Sequence, residues 1–375
     1  MSEAADVVVV GAGFAGAATA YHLVRRGITN VLVLEAEDGP GRHASGKNAA
    51  LAFQLMENLD EARLAIEGLA FFADPPPGFA ERPLLRRCGS LLVAGENGRA
   101  ALREAARDAA DLGIEVSLVP GDEVRRRVPP LVGGDVVEGL ENPSDAVVDI
   151  EALLSGYLAD ACRGGARLAT GEPLVEIRRA HGRVEAVVTT KRTVHTRIVV
   201  NAAGPWAGKI GKLARVGGST IAPRRRHLFQ AETRAAIDPE WPFVWHADLD
   251  VYFRPDAGRL LLSPCDAAAH VPAEPEVDPA AERLLQEKAR AAFPGLLPLG
   301  VVSSRACLRT FVADGRFLIG REPELDGFFW VAALGGHGMS TSHGVGRIAA
   351  SAVLGESSAE LASFSPARFA GRRDG

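Results

Sequence analysis

The segment from Asp6 to Glu35, DVVVVGAGFAGAATAYHLVRRGITNVLVLE, constrains the fold of this chain more than any other. Asp6–Val10 ends in four valines, the β-branched run that a buried parallel strand requires. Gly11, Gly13 and Gly16 follow at once in the spacing GxGxxG. The first glycine permits a tight turn, the second lets a pyrophosphate approach the backbone, and the third lets a helix pack close to the sheet. Ala15–Arg26 is rich in alanine and other helix formers, and Gly27 stands where a helix ends. A second apolar strand, Val31–Leu34, runs into Glu35, whose carboxylate can accept hydrogen bonds from ribose hydroxyls. A glycine triplet alone says little. With strand, helix, second strand and acid all in order, the segment reads as a βαβ unit that holds a dinucleotide on the free amides of its helix N-terminus.

The chain has 375 residues, more than one core usually serves, so two lobes are expected. A net charge of -5 argues against a nucleic-acid partner. Cys88, Cys162, Cys265 and Cys307 show no metal-like spacing, so no metal is expected and the thiols read as reduced. No uncharged apolar run reaches the roughly 18 residues of a membrane span. The glycine motif lies so near the first residue that no targeting segment is expected before it, and a cytoplasmic location follows.

Helices are expected at Leu59–Phe72, Arg99–Leu112, Asp149–Arg163, Ala280–Phe293 and about Thr341–Leu354, with Asp149 as an N-cap. Leu174–Ile177, Val184–Thr189 and Thr193–Asn201 read as a β-meander leading into a core strand. Pro223–Glu232, Phe243–His246, Asp250–Arg254 and Arg259–Ser263 suit a separate antiparallel sheet. Two further strands run into glycines, at Asn201-Ala-Ala-Gly204 and at Ala333-Leu-Gly335-Gly336. Three strand–glycine–helix junctions so far apart suit a long flavin dinucleotide. A nicotinamide dehydrogenase would carry its βαβαβ halves contiguously near the N-terminus, whereas here Gly39–Ala50 is a glycine-rich loop. FAD is therefore expected rather than NAD. The last helix N-terminus can stabilise an anionic reduced flavin.

At these residues the chain resembles the glycine/D-amino acid oxidase-like flavoproteins over nearly its whole length. The carriers are GAGFAGAATAYHLVRRG, Glu35, ASGKNAA at Ala44–Ala50, VNAAGPWA at Val200–Ala207, LRTFVADGRFLIG at Leu308–Gly320 and GFFWVAALGGHGMSTS at Gly327–Ser342. GFAERPLL, PRRR and VYFRPDAGRLLLSP look most like the D-arginine dehydrogenase subgroup. The resemblance implies an α/β fold. A discontinuous Rossmann-type FAD-binding domain (1–50, 145–222 and 305–375) would carry a second, α+β substrate domain on a mixed or antiparallel sheet (51–144 and 223–304).

The resemblance also implies that Arg226 and Arg309 clamp a substrate carboxylate, with Tyr252 beside them. From the residues alone, Arg226 could equally be a surface arginine, Arg309 a structural ion pair and Tyr252 a plain sheet position. Motifs and resemblance together assign the cofactor to Gly11, Gly13, Ala15, Gly16, Glu35, Ala36, Arg42, Ser45, Lys47, Asn48, Ala49, Val175, Ala203, Gly204, Trp206, Cys307, Arg309, Gly335, Gly336, His337, Gly338, Met339 and Ser340. His337 either sits by the flavin as part of the reactive centre or packs in a turn. Cys307 matches a cysteine that bonds covalently to flavin in sarcosine oxidase-like members, and is otherwise a small buried residue. His43 is expected on the pyrophosphate side.

The departures bear on the substrate. Where arginine-specific relatives carry a His-Tyr pair this chain has Leu51-Ala52, and Ser90 matches the acid that receives a guanidinium. A neutral side chain is therefore expected. The implied reaction is oxidation of an amino-acid C–N bond by hydride transfer, with hydrolysis to a 2-oxo acid and electrons passed to oxygen, a quinone or another acceptor. Oxidation of N-methyl or cyclic amino acids is one alternative, and a non-catalytic flavin-binding protein is another.

Overall fold

The computed structural model describes residues 3–217 and 221–369. Its nucleotide-side sheet has six strands in the order Arg167–Ala169, Val31–Leu34, Val7–Val10, Ile198–Asn201, Phe328–Ala332 and Leu318–Arg321. The first five are parallel and the last is antiparallel. The four valines of Val7–Val10 are buried on both faces. Val7 and Val9 pack with Leu23, Val345 and Ile348 of the helices Phe14–Arg25 and Ser342–Val353. Val8 and Val10 point the other way, into a core with Ile177, Val187 and Val194 of the meander and Ile210 of helix Ala207–Leu213. Burial on both faces explains why this strand reads as an unbroken apolar run.

Helix Phe14–Arg25 approaches its own entry turn so closely that a Cβ at Gly16 would lie 1.9 Å from the Gly11 carbonyl oxygen. The third glycine of the motif is thus a packing residue. Helix Ile150–Arg163 is capped by Asp149, whose carboxylate accepts the Ala152 amide at 3.0 Å.

A second sheet has eight strands in the order Gly300–Phe311, Ala222–Glu232, Arg259–Ser263, Val251–Asp256, Phe243–His246, Ser90–Ala94, Glu138–Asn142 and Ser117–Pro120. It is antiparallel except where Phe243–His246 runs parallel to Ser90–Ala94. One face packs Phe229, Phe253 and Leu262 against Leu285 and Ala289 of helix Pro279–Ala292. The other face carries Leu228, Phe243 and Tyr252 and turns toward the nucleotide-side sheet through Phe53 and Ala49. A small sheet of Leu51–Ala52, Ala146–Val148 and Leu85–Arg87 joins the two.

Helix Leu59–Ala73 packs against Ser342–Val353 and so lies on the nucleotide side, although its neighbours in sequence run to the other sheet. The long strand Gly300–Phe311 is absent from the sequence reading. Its polar centre, Ser303-Ser304-Arg305, lies at the open sheet edge and masks the two-residue alternation that marks a strand. The short strands Arg167–Ala169, Glu138–Asn142 and Leu318–Arg321 were likewise unmarked.

Gly16→Ala forces a methyl group into the Gly11 carbonyl. Overpacking of this kind costs about 1–3 kcal/mol, so thermal unfolding of the variant should start at lower temperature, and a variant as stable as the parent would disprove the close approach.

Candidate active site

The parallel strands Val31–Leu34, Val7–Val10, Ile198–Asn201 and Phe328–Ala332 are neighbours, so their C-terminal ends open on one side of the sheet. There begins a cavity of about 420 Å³ that extends to the eight-stranded sheet. At its near end Glu35 accepts the amides of Ala12 at 2.8 Å and Glu37 at 3.0 Å. The Ser45 hydroxyl accepts the Phe14 amide at 3.1 Å, and helix Phe14–Arg25 has no side-chain cap from its own N-cap residue, Gly13. A helix N-terminus open to a cavity suits phosphate.

The loop Ser45–Ala50 is fixed from within and from across the cavity. Asn48 donates to the Ser45 carbonyl and accepts from the Ala50 amide, both at 2.6 Å. From the eight-stranded sheet, Arg254 donates to the Ala49 carbonyl at 3.1 Å, and Arg305 to those of Lys47 and Asn48 at 3.3 Å each. His43 lies between Glu37 (2.9 Å) and Glu274 (2.8 Å), and Lys47 pairs with Glu274.

At the far end the register of the two longest strands governs the chemistry. Arg226 lies opposite Cys307 and Arg224 opposite Arg309, so Arg226, Cys307 and Arg309 share one face. Arg226 is 8% exposed, and its Nε and Nη1 have no hydrogen-bond partner. Among the described residues neither Arg226 nor Arg309 has a carboxylate partner. Burial, and then the charge of Arg226, lower the pKa of Arg309. Asp266 lies near enough to feel the charge of Arg226, but its carboxylate is engaged by the His227 amide and ring. Two enclosed cations without a bonded carboxylate are costly, and an anion entering the cavity would relieve that cost. Arg309 reaches its place by crossing Gly336, where a Cβ would lie 2.6 Å from its Nε and φ is +100°. Burial, with Arg309 and Arg226 adding to it, pushes the His337 pKa down to about 4, so the imidazole is neutral at pH 7. Burial pushes the Tyr252 phenol up to about 12 and raises the Cys307 thiol.

All residues expected at the site line this cavity except Gly16, Lys47, Val175 and Gly335. Lys47 faces a small side cavity with His43 and Cys307. Gly335 donates its amide to the Thr310 carbonyl at 3.0 Å and so ties its loop to the strand bearing Arg309. Val175 is 46% exposed, and its neighbour Leu174 lines the cavity instead. A register shift between Leu174 and Glu176 turns the Val175 side chain outward, while its backbone stays next to the lining residue Leu174. The sequence reading missed Phe53, Leu228, Phe243 and Trp245, all in the lining. The period-two pattern Phe243-Val244-Trp245 could have marked the last two.

Ser90 is also differently placed. It is fully buried outside the cavity lining and donates to Asp145 at 2.6 Å. Gln54 also donates to Asp145, from its amide at 3.2 Å and its side chain at 2.9 Å. Burial nevertheless pushes the Asp145 carboxyl up to about 6. Leu51, the other departure from arginine-specific relatives, does line the cavity.

Two predictions follow from these contacts. Because folded Asp145 holds its proton more tightly than an unfolded carboxyl, unfolding releases that proton and stability falls as pH rises from about 4 to about 6. Asp145→Asn should therefore gain on the order of 1 kcal/mol over the parent at pH 8 and nothing at pH 4, read from denaturant midpoints at both pH values. Replacing Arg254 or Arg305 by Met frees the loop carbonyls and should speed loss of bound FAD several-fold, followed by its fluorescence on release. Unchanged release would exclude the loop from cofactor retention.

The cavity lining fits FAD: it takes in an open helix N-terminus beside Glu35 and the glycine loop before helix Ser342–Val353. The comparisons agree. The family model described as FAD dependent oxidoreductase matches residues 6–352. The 4-methylaminobutanoate oxidase (formaldehyde-forming) of Paenarthrobacter nicotinovorans is 26% identical over 98% of this chain, which spans 46% of that relative's length. L-proline dehydrogenase from P. horikoshii superposes with a TM-score of 0.88 at 20% identity, covering 98% of both chains. Glycine oxidase from Geobacillus kaustophilus gives 0.85 at 23% identity over 99% of this chain and 100% of its own. The chain belongs to the DAO family of FAD-dependent oxidoreductases.

Proposed function

We propose that this protein oxidises the C–N bond of an amino acid whose carboxylate is held by Arg226 and Arg309. The observation that carries the reading is the pair of enclosed guanidiniums without carboxylate partners in the FAD cavity. A guanidinium binds a carboxylate through two parallel bonds, which fixes the ligand's orientation as well as its place. With the carboxylate fixed, the substrate Cα–H has one direction in which to point. The chemistry that FAD would supply there is that of a two-electron acceptor for this hydride, with an external acceptor such as oxygen or a quinone taking the electron pair afterwards. The resulting imine hydrolyses to a 2-oxo acid.

The amine must be neutral to release hydride. The two arginines disfavour a third positive charge beside them, so they lower the pKa of the bound ammonium. His337, neutral at pH 7, adds no further cation and offers a ring nitrogen to the cavity. Turnover should therefore rise from pH 6 to pH 9. The amides around Gly11 and Gly13 would hold the pyrophosphate, Glu35 the ribose, and the loop Gly335–Ser340 the flavin end.

A secondary amine is the second reading. It is favoured by the 4-methylaminobutanoate oxidase relative, whose name specifies an N-methyl substrate and formaldehyde release. Formaldehyde in the product mixture separates the two. A flavin-binding protein without turnover is the third.

Arg226→Met and Arg309→Met each remove charge-assisted bonds worth roughly 1.5–3 kcal/mol. Each should raise KM about tenfold to a hundredfold while FAD stays bound. Anaerobic bleaching of the holoenzyme by D- and L-amino acids, sarcosine and proline tests the whole reading. Absence of bleaching by every amine would leave the non-catalytic reading standing.

A further inference from the structure

Besides the two arginines the cavity has a lining of unlike chemistry. Phe53, Phe243, Trp245 and Tyr252 line it together with Leu51 and Leu228. The rings form a closed set: Phe53 lies 5.9 Å from Phe243 and 5.7 Å from Trp245, centroid to centroid. Phe243 lies 6.0 Å from Trp245 and 5.2 Å from Tyr252, and Trp245 lies 5.8 Å from Tyr252. Edge-to-face and tilted contacts of this kind fix ring positions and so fix the shape of the space they bound. The strands explain the grouping. Trp245 stands opposite Tyr252 in register, Phe243 shares its strand face, and Phe53 descends from the chain just after Leu51–Ala52.

Charge is distributed unevenly along the same cavity. Its acidic lining residues, Glu35, Glu37 and Glu172, all belong to the nucleotide end. Glu172 is in addition paired with Arg192. Asp145, behind Ser90, is engaged by three donors, Asp266 beside Arg226 is engaged by the His227 amide and ring, and neither takes part in the lining. Asp250 is engaged by the Trp245 indole N–H at 3.2 Å. Within the pocket the charged groups are therefore two cations, at the end assigned to the carboxylate.

Resting on the amine-oxidation reading above, we infer that the four-ring pocket selects amino acids with a bulky, uncharged, apolar side chain of the leucine, methionine or phenylalanine type. A cationic side chain would enter without a counter-ion and beside two like charges. An anionic one would compete with the α-carboxylate for the arginines and orient the substrate backwards. Glycine would leave the rings facing empty space, without the apolar contact that the pocket offers.

Two measurements on the FAD-loaded protein test this, one with turnover and one without. In anaerobic reduction, leucine, methionine and phenylalanine (both enantiomers) should bleach the flavin at least ten times more efficiently than glycine. Lysine, arginine, aspartate and glutamate should be slower still. A charged amino acid or glycine leading the series overturns the inference and leaves amine oxidation intact. In titrations followed by the flavin spectrum, hexanoate and phenylacetate should bind at least tenfold tighter than acetate. Equal affinities overturn the inference even if no amine is ever oxidised, whereas tight apolar carboxylates with no bleaching by any amine would sink the amine reading alone. Leu51→Asp, at a half-buried position, should erase the tenfold advantage and admit lysine. A Leu51→Asp protein that binds FAD yet keeps the parental series would count against the pocket.

Discussion

The site depends on one alignment: Val7–Val10 hydrogen-bonded between Val31–Leu34 on one side and Ile198–Asn201 on the other, with Phe328–Ala332 next in line and all four parallel. Parallel strands end together, and what leaves their ends is brought together whatever its distance in sequence. The turn at Gly11, the acid Glu35, the turn at Gly204 and the loop Gly335–Ser340 meet for that reason alone. None of these segments could form the cavity by itself. Burial of the strands on both faces makes the alignment specific, since a slip by one residue would exchange the two sets of valines between different cores.

A second alignment sets what the cavity can hold. The pairing of Ala222–Glu232 with Gly300–Phe311 brings two guanidiniums to one face, and the absence of side chain at Gly336 lets one of them pass the cofactor loop. The same sheet reaches back through Arg254 and Arg305 to the carbonyls of Lys47, Asn48 and Ala49. The surface facing the ligand and the loop beneath it are thus parts of one hydrogen-bonded body.

Much of the nucleotide side was legible because its signals are local. A valine run, three glycines and an acid lie within one short segment, and each residue type answers a steric or electrostatic need at its own position. The roles proposed for Arg226 and Arg309 came from the sequence only through family resemblance, because a guanidinium beside two others in Arg224-Arg225-Arg226 carries no mark of burial. The structure separates the three: Arg225 pairs with Asp278 at 2.5 Å, while Arg226 turns inward. Of the ring pocket only Tyr252 and the alternation Phe243-Val244-Trp245 left a mark in the sequence, and Phe53 left none, since it meets the other rings only in the fold. The outward turn of the Val175 side chain was not legible, because a register shift between Leu174 and Glu176 breaks the two-residue alternation that would have oriented it. The burial of Ser90 behind the lining was not legible, because its partner, Asp145, lies far from it in sequence.

The order of strands also has a temporal meaning. In sequence the glycine turn and its helix come long before Ile198–Asn201 and Phe328–Ala332, the strands that complete their sheet. Contacts between such distant parts of a chain form slowly, because long loops must close before any contact rewards them. The phosphate turn therefore has a complete pocket around it only after those loops have closed, and cofactor capture waits on the slowest contacts of the sheet.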